Sequence, residues 1–342
     1  MALLATGRVF GWGGDGSGRV APDTPEYCST LKAPTSAVEL NSRQEMISVT
    51  AGHGISLGIT AQNRIVVWGA NAAGIGGRLN SVALATPQLV ENIADAHGIA
   101  AGEFSFGAID SEGAVFTWGL NNEGALGRPT AHFNAIPGQV PGVPLSSQLV
   151  SGKGYMLALT RGGQLYAWGN NAAGQLGLGH LASVATPQPL PLQKKIRSVD
   201  AGATHTLAVT AEGDVLAWGS NHHGQLGQPT LRYSAVPSRV RLPSRVQAVA
   251  AGMHFSLALG VGGEVYAWGW NGHGQLGLSD TDDRHSAVRV PDLEHVRAIA
   301  AGETHAAALT PGGLLGWGNN ASGQIGSASR EQLLPNAFFA LS

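Results

Sequence analysis

The chain has 342 residues, a formal net charge of −2 and 50 glycines. Charged residues make up 12%, about half the usual ~25%. This balance excludes a disordered chain, which carries high charge and few apolar residues. It also argues against duplex nucleic acid as a partner, because backbone binding needs clustered Lys and Arg.

Met1–Gly7 lacks the charged start and long apolar core of a signal peptide, so a cytoplasmic location is expected unless a leader has been removed. No apolar run approaches the ~18 residues of a membrane span. Cys28 is the single cysteine, which leaves no intrachain disulfide framework and no thiolate metal site.

Trp-Gly recurs at Trp12, Trp68, Trp118, Trp168, Trp218, Trp268 and Trp317, in steps of 56, 50, 50, 50, 50 and 49 residues. A small residue followed by Gly recurs at Gly52, Gly102, Gly152, Gly202, Gly252 and Gly302, every step 50. Repetition at this period marks a propeller, solenoid or array. The first repeat is longer than the others within Gly14–Ser48, and Gly18-Arg-Val-Ala stands where Gly-Gln-Leu-Gly follows Trp168, Trp218 and Trp268.

Ala235–Leu278 shows how a repeat reads. Pro237–Leu242 is a strand opened by proline, a position tolerated on an outer, edge-like strand. Val246–Gly252, Phe255–Leu259 and Glu264–Trp268 follow as three more short strands separated by glycines. Four strands per repeat make one propeller blade. Ala250, Ala251 and Gly252 suit the crowded innermost strand, and the Trp-Gly tryptophans suit the widening space between neighbouring blades. For those tryptophans core packing is the favoured reading. At the other end, Pro335–Leu341 aligns with the Pro-led outer strand. The expected architecture is an all-β, seven-bladed β-propeller of four-stranded antiparallel blades. It forms a single domain over 1–342, its ring closed by strands from the two chain ends. Either Phe338–Leu341 completes the first blade or that blade is short of a strand.

The blade pattern Ala-Gly-x-x-His-Ser/Thr-x-Ala-Leu-Thr, followed by Trp-Gly-x-Asn-x-x-Gly-Gln-Leu-Gly, resembles the regulator of chromosome condensation repeat. It is matched best at Ala201–Gly227 and Ala301–Gly326. The resemblance implies a seven-bladed propeller. It also implies a range of roles: exchange factors for a Ran-type GTPase, a plant ultraviolet-B photoreceptor, ubiquitin-ligase domains, bacterial effectors and a secreted β-lactamase inhibitor. One fold with many roles leaves function to be argued from the site.

In an up-and-down meander the turns after the first and third strands of a blade share one face. The pairs after each small-residue-Gly, among them His53, Glu103 with Phe104, Lys153, Met253 with His254, and Glu303, are therefore expected at the channel mouth. The Asn-x-x-Gly loops, carrying Asn122-Glu123, His222-His223, Trp270 and His273, are expected to ring them. These positions vary while the scaffold repeats, as binding loops do. Trp270 stands outside the Trp-Gly register and is read either as packed on a neighbouring loop or as an interface anchor. His222, His223, His254 and His273 invite a metal reading, but no carboxylate partners them at ligand spacing, so no metal or cofactor is expected. His205 and His305 match the repeat's own His and read as structural.

No Gly-x-Ser-x-Gly elbow, phosphate loop or Cys-His pair supports an enzyme. Glu103 and Glu303 read as solvated rim charges. The leading expectation is a non-enzymatic scaffold that binds a protein through one loop face, with no nucleic acid and no membrane involved. Guanine nucleotide exchange on a Ran-like small GTPase is the first alternative, though the near-regular repeats leave room for an intruding wedge only at Gly14–Ser48. A secreted enzyme-inhibitor propeller is the second. Light sensing is discounted because His53, Glu103, Lys153, Ala203, Met253 and Glu303 stand where the photoreceptor has tryptophan.

Overall fold

A computed structural model describes residues 1–13, 38–39, 44–71, 84–326 and 331–339. Cys28 and most of the longer first repeat, Gly14–Ser48, lie outside the described residues. The chain forms two compact units. The first comprises Met1–Arg161, Tyr166–Asn170 and Ser183–Pro189; the second comprises Gly162–Leu165, Asn171–Ala182 and Leu190–Ser342.

The first unit begins with a three-stranded sheet, β1 (Ala2–Leu3), β2 (Val9–Gly11) and β3 (Val38–Glu39). Three four-stranded sheets follow. One is β4 (Met46–Ala51), β5 (Ile55–Thr60), β6 (Ile65–Gly69) and β7 (Leu84–Leu89). The next is β8 (Ala96–Ala101), β9 (Ser105–Asp110), β10 (Val115–Leu120) and β11 (Phe133–Gln139). The last is β12 (Ser146–Ser151), β13 (Tyr155–Thr160), β14 (Leu165–Gly169) and β15 (Val184–Pro189).

The second unit repeats the plan three times. Its sheets are β16 (Ile196–Ala201) to β17 (His205–Thr210), β18 (Val215–Ser220) and β19 (Tyr233–Arg239); then β20 (Val246–Ala251), β21 (Phe255–Gly260), β22 (Val265–Gly269) and β23 (Arg284–Arg289). The third is β24 (Ala298–Ala301), β25 (His305–Thr310), β26 (Gly313–Asn319) and β27 (Glu331–Phe339). Strands are sequential neighbours and antiparallel throughout, the arrangement of propeller blades. Among the described residues there is no helix long and apolar enough to cross a membrane.

Two expectations are corrected. Six blades, not seven, have four strands, and the N-terminal sheet has three among the described residues. Among the described residues β27 does not join the N-terminal sheet: it pairs with β26, with Phe339 opposite Leu314, and the rest of Phe338–Leu341 lies outside the described residues. The reason lies in β26, which without β27 would present an open edge. The phase of the repeat also differs from the sequence reading. The Pro-led strand opens no blade; β19 closes the preceding one on β18, and each sheet runs from a small-residue strand outward.

The second strands explain why the blades stack. β5, β13, β17 and β21 are buried along their whole length, as runs such as Tyr-Met-Leu-Ala-Leu-Thr require when both faces are covered. Beside them the tryptophans at 68, 118, 168, 218, 268 and 317 are fully buried. Opposite each tryptophan the outer strand slips register, for example between Ala217 and Gly219. Pro237 falls in that slip, where its missing N–H breaks no ladder bond.

Candidate partner-binding site

The Asn-x-x-Gly-Gln-Leu loop is a closed set of hydrogen bonds. In Asn221–Gly227 the buried Asn221 accepts the Leu226 N–H at 2.8 Å and donates to the carbonyls of Gln228 and Leu231. Gln225 folds back to accept the His223 N–H at 3.0 Å. Gly224, at φ 83°, lies so close to Cα of His285 on the next blade that a side chain would collide with backbone. The same Asn and Gln bonds recur at Asn171 with Gln175 and at Asn271 with Gln275. Each following tryptophan then donates its indole N–H to the loop of the blade before. Trp218 reaches the Gln175 carbonyl, Trp268 that of Gln225 and Trp317 that of Gln275, at 2.8, 2.8 and 2.9 Å.

One backbone bond ties this loop to the inner turn at the same end of each blade. Leu120 N–H donates to Phe104 O, Ser220 to Thr204, Trp270 to His254 and Asn319 to Thr304, at 2.8 to 3.0 Å. The juxtaposition expected from the meander is therefore present blade by blade. Two glycine-flanked inner turns are themselves stitched across blades: Met253 N–H donates to the Glu303 carbonyl at 3.1 Å.

In the second unit these loops bring together Trp270, His254, His273 and His223. Trp270 lies 5.4 Å from the His273 ring, 5.9 Å from His223 and 6.3 Å from His254, and the His223 and His254 rings stack at 5.5 Å. Trp270, His254, Met253 and His273 are half-buried and Glu303 is exposed. Carboxylates do partner two of these histidines, contrary to the sequence reading. His223 Nδ1 meets Asp283 at 2.9 Å and His273 Nδ1 meets Glu331 at 2.8 Å. Sequence spacing hides them because each lies one blade on, 60 and 58 residues away. Among the described residues no three His, Cys, Asp or Glu converge as a metal-binding group.

In the first unit the named residues form a second group. His53 meets the exposed Phe104 edge-on at 5.8 Å. Glu103 and Lys153 pair at 3.3 Å. Both, with Phe104, line a cleft of ≈ 460 Å³ that also takes in Ser105, Asn122, Glu123, Ala125 and Asn170.

The two repeat histidines belong to the scaffold, His205 buried and His305 half-buried. Ser256 Oγ donates to the Gln225 carbonyl at 2.8 Å, so at 3.0 Å it accepts from His205 Nε2–H. Burial lowers the pKa of His205 to about 3 and that of His305 to about 4, keeping both neutral. Asp200 on β16 was missed by the sequence reading. It accepts the N–H groups of Ala201 and, on the next blade, Ala251, and burial raises its pKa to about 6.

A family model of the RCC1-like domain matches residues 81–339. The chain belongs to the RCC1-like domain family. Human WBSCR16 is similar in fold, at 23% identity and a TM-score of 0.88 over 97% of this chain and 93% of that one. Prp20p from Saccharomyces cerevisiae, described with its binding properties to Gsp1p and histones, is similar at 24% identity and a TM-score of 0.84, over 99% and 87%. No curated protein sequence matches the chain. At these identities the structural likenesses establish the RCC1-like propeller fold.

Proposed function

We propose that this RCC1-like protein is a non-enzymatic scaffold that binds another protein through the loop end of its blades. The observation that carries the reading is a division of labour within the loops at Asn171, Asn221 and Asn271. Asn, Gly, Gln and Leu are consumed by internal hydrogen bonds and packing, which leaves the variable positions between them to face outward. In the second unit His273 of such a loop is joined by Trp270, which precedes it, and by Met253 and His254 of the adjoining inner turn, an aromatic anchor set among polar rings, as binding hot spots are built. The remaining members of the binding set are His53, Glu103, Phe104, Lys153, His273 and Glu303.

The test is affinity capture with the wild-type chain and Trp270→Ala, melting temperatures compared in parallel. The reading expects a partner held by the wild type and lost from a variant that melts at the wild-type temperature. Retention by that variant, or loss only in step with stability, removes the anchor.

Exchange on a Ran-like GTPase is a second reading, supported by the family and by the likeness to Prp20p. Acceleration of labelled-GDP release from such a GTPase at micromolar protein would move the assignment there. Most of Gly14–Ser48, where a wedge would be sought, lies outside the described residues.

A further inference from the structure

The cleft in the first unit exists because one blade breaks the repeat twice. Three residues after the inner glycine, the following blades carry a ring: Tyr155, His205, Phe255 and His305. Ser105 stands there instead. It is 2% exposed, lines the cleft, and its Oγ has no hydrogen-bond partner. In the loop above, Ala125 replaces the glutamine found at Gln175, Gln225 and Gln275. Two large side chains are thus missing from one place, and the ≈ 460 Å³ cleft occupies it.

The loss of glutamine has a second effect. Elsewhere Gln Oε1 holds the N–H two residues earlier, as in Gln225 with His223 and Gln275 with His273. With no such acceptor, Glu123 sits at φ 55°, a left-handed conformation costly for a residue with a side chain. Its exposed carboxylate lines the cleft and carries no ion pair among the described residues. Glu103, by contrast, is offset by Lys153 at 3.3 Å. The lining therefore holds two carboxylates against one ammonium and the imidazole of His132, beside the exposed Phe104 ring and an unsatisfied hydroxyl.

We infer that this cleft receives an arginine side chain of a protein partner, an inference that rests on the scaffold reading and names the chemistry of one of its contacts. A guanidinium fits each feature. It supplies the missing positive charge to Glu123, has five donors from which the buried Ser105 Oγ takes one, and stacks on an aromatic face where an ammonium would remain hydrated.

N-acetyl-arginine methylamide titrated into the full-length, isotope-labelled protein provides the test, with N-acetyl-glutamine methylamide as the uncharged control. The expected result is saturable shifts in the amides of Glu103–Ser105 and Asn121–Gly127, at the millimolar affinity of a single side chain. Glu123→Gln weakens binding about tenfold, the loss of one charge-assisted contact. Ala125→Gln, which restores the repeat and fills the cleft, abolishes the shifts while the melting temperature holds or rises. No saturable shift, equal binding of the glutamine control, or full binding by Ala125→Gln would overturn the inference. Any of these outcomes alongside Trp270-dependent capture sinks the cleft alone and leaves the scaffold standing.

Discussion

Asn121–Gly127 and Asn221–Gly227 occupy the same position in their blades, share Asn, Gly and Leu, and differ at three positions, of which Ala125 against Gln225 decides their behaviour. With Gln225 in place the second loop is closed on itself, and what it offers outward is a side chain, His223, clamped to Asp283. With Ala125 in place the first loop keeps its frame: Asn121 still accepts the Leu126 N–H at 3.0 Å. It nevertheless loses its filling, and the strain passes to Glu123. Framework and filling are thus separable, and a repeat protein can open a cleft by deletion without disturbing how blades join.

The largest test of that separation is the seam. Trp168 donates to the Ala125 carbonyl at 3.0 Å and Trp218 to the Gln175 carbonyl at 2.8 Å, so the seam does not depend on the missing side chain. Trp168→Ala and Trp218→Ala should each cost about 3–5 kcal/mol in urea unfolding. A markedly cheaper loss at Trp168 would show the frame itself to be weakened beside the cleft.

Acid titration probes the ring that Ser105 lacks. Below 6.5 the unfolded chain protonates its histidines, whereas the folded chain resists down to about 3 at His205 and about 4 at His305. Stability is therefore complete above that pH and falls toward acid, by up to about 1.4 kcal/mol per pH unit for each ring. Asp200, raised to about 6, binds its proton in the folded state first and offsets part of the loss between about 6 and 4. His205→Phe places there the ring that the next blade already carries at Phe255. It should flatten the acid limb by the share of one ring, read by denaturation at pH 7 and 4.5. An unchanged limb would mean that His205 is not held neutral.

The smallest effect is the most direct. Gln225→Ala should cost about 1 kcal/mol and turn His223 to positive φ, as a crystal structure of the variant would show. An unchanged backbone at His223 would detach the conformation of Glu123 from the absence of glutamine.

Much of this was legible in the residues. Trp-Gly and small-residue-Gly spacing located the blades because close packing near the inner strands and bulk between blades are demands that side-chain size alone can meet. The meander then placed the turns, and the bonds from Trp270 to His254 and from Leu120 to Phe104 bear that geometry out. What escaped were relations between blades. Asp283 and Glu331 reach histidines a whole repeat away, and nothing local marks them as partners. Closure by shared chain ends was expected because free edges are hazardous, yet β27 serves its own neighbour first. Ser105 and Ala125 were overlooked for the opposite reason: a small residue announces nothing until the volume it leaves is seen.

The indole bonds of Trp168, Trp218, Trp268 and Trp317 run one way, back to the blade before, across a constant interval of 43 residues at the first three. Donor and acceptor thus belong to different copies of the same motif. Duplicating or excising a whole copy among these four leaves each of their indoles opposite a carbonyl, whereas a cut within a copy strands one. Growth of such a chain by entire blades is built into its stitching.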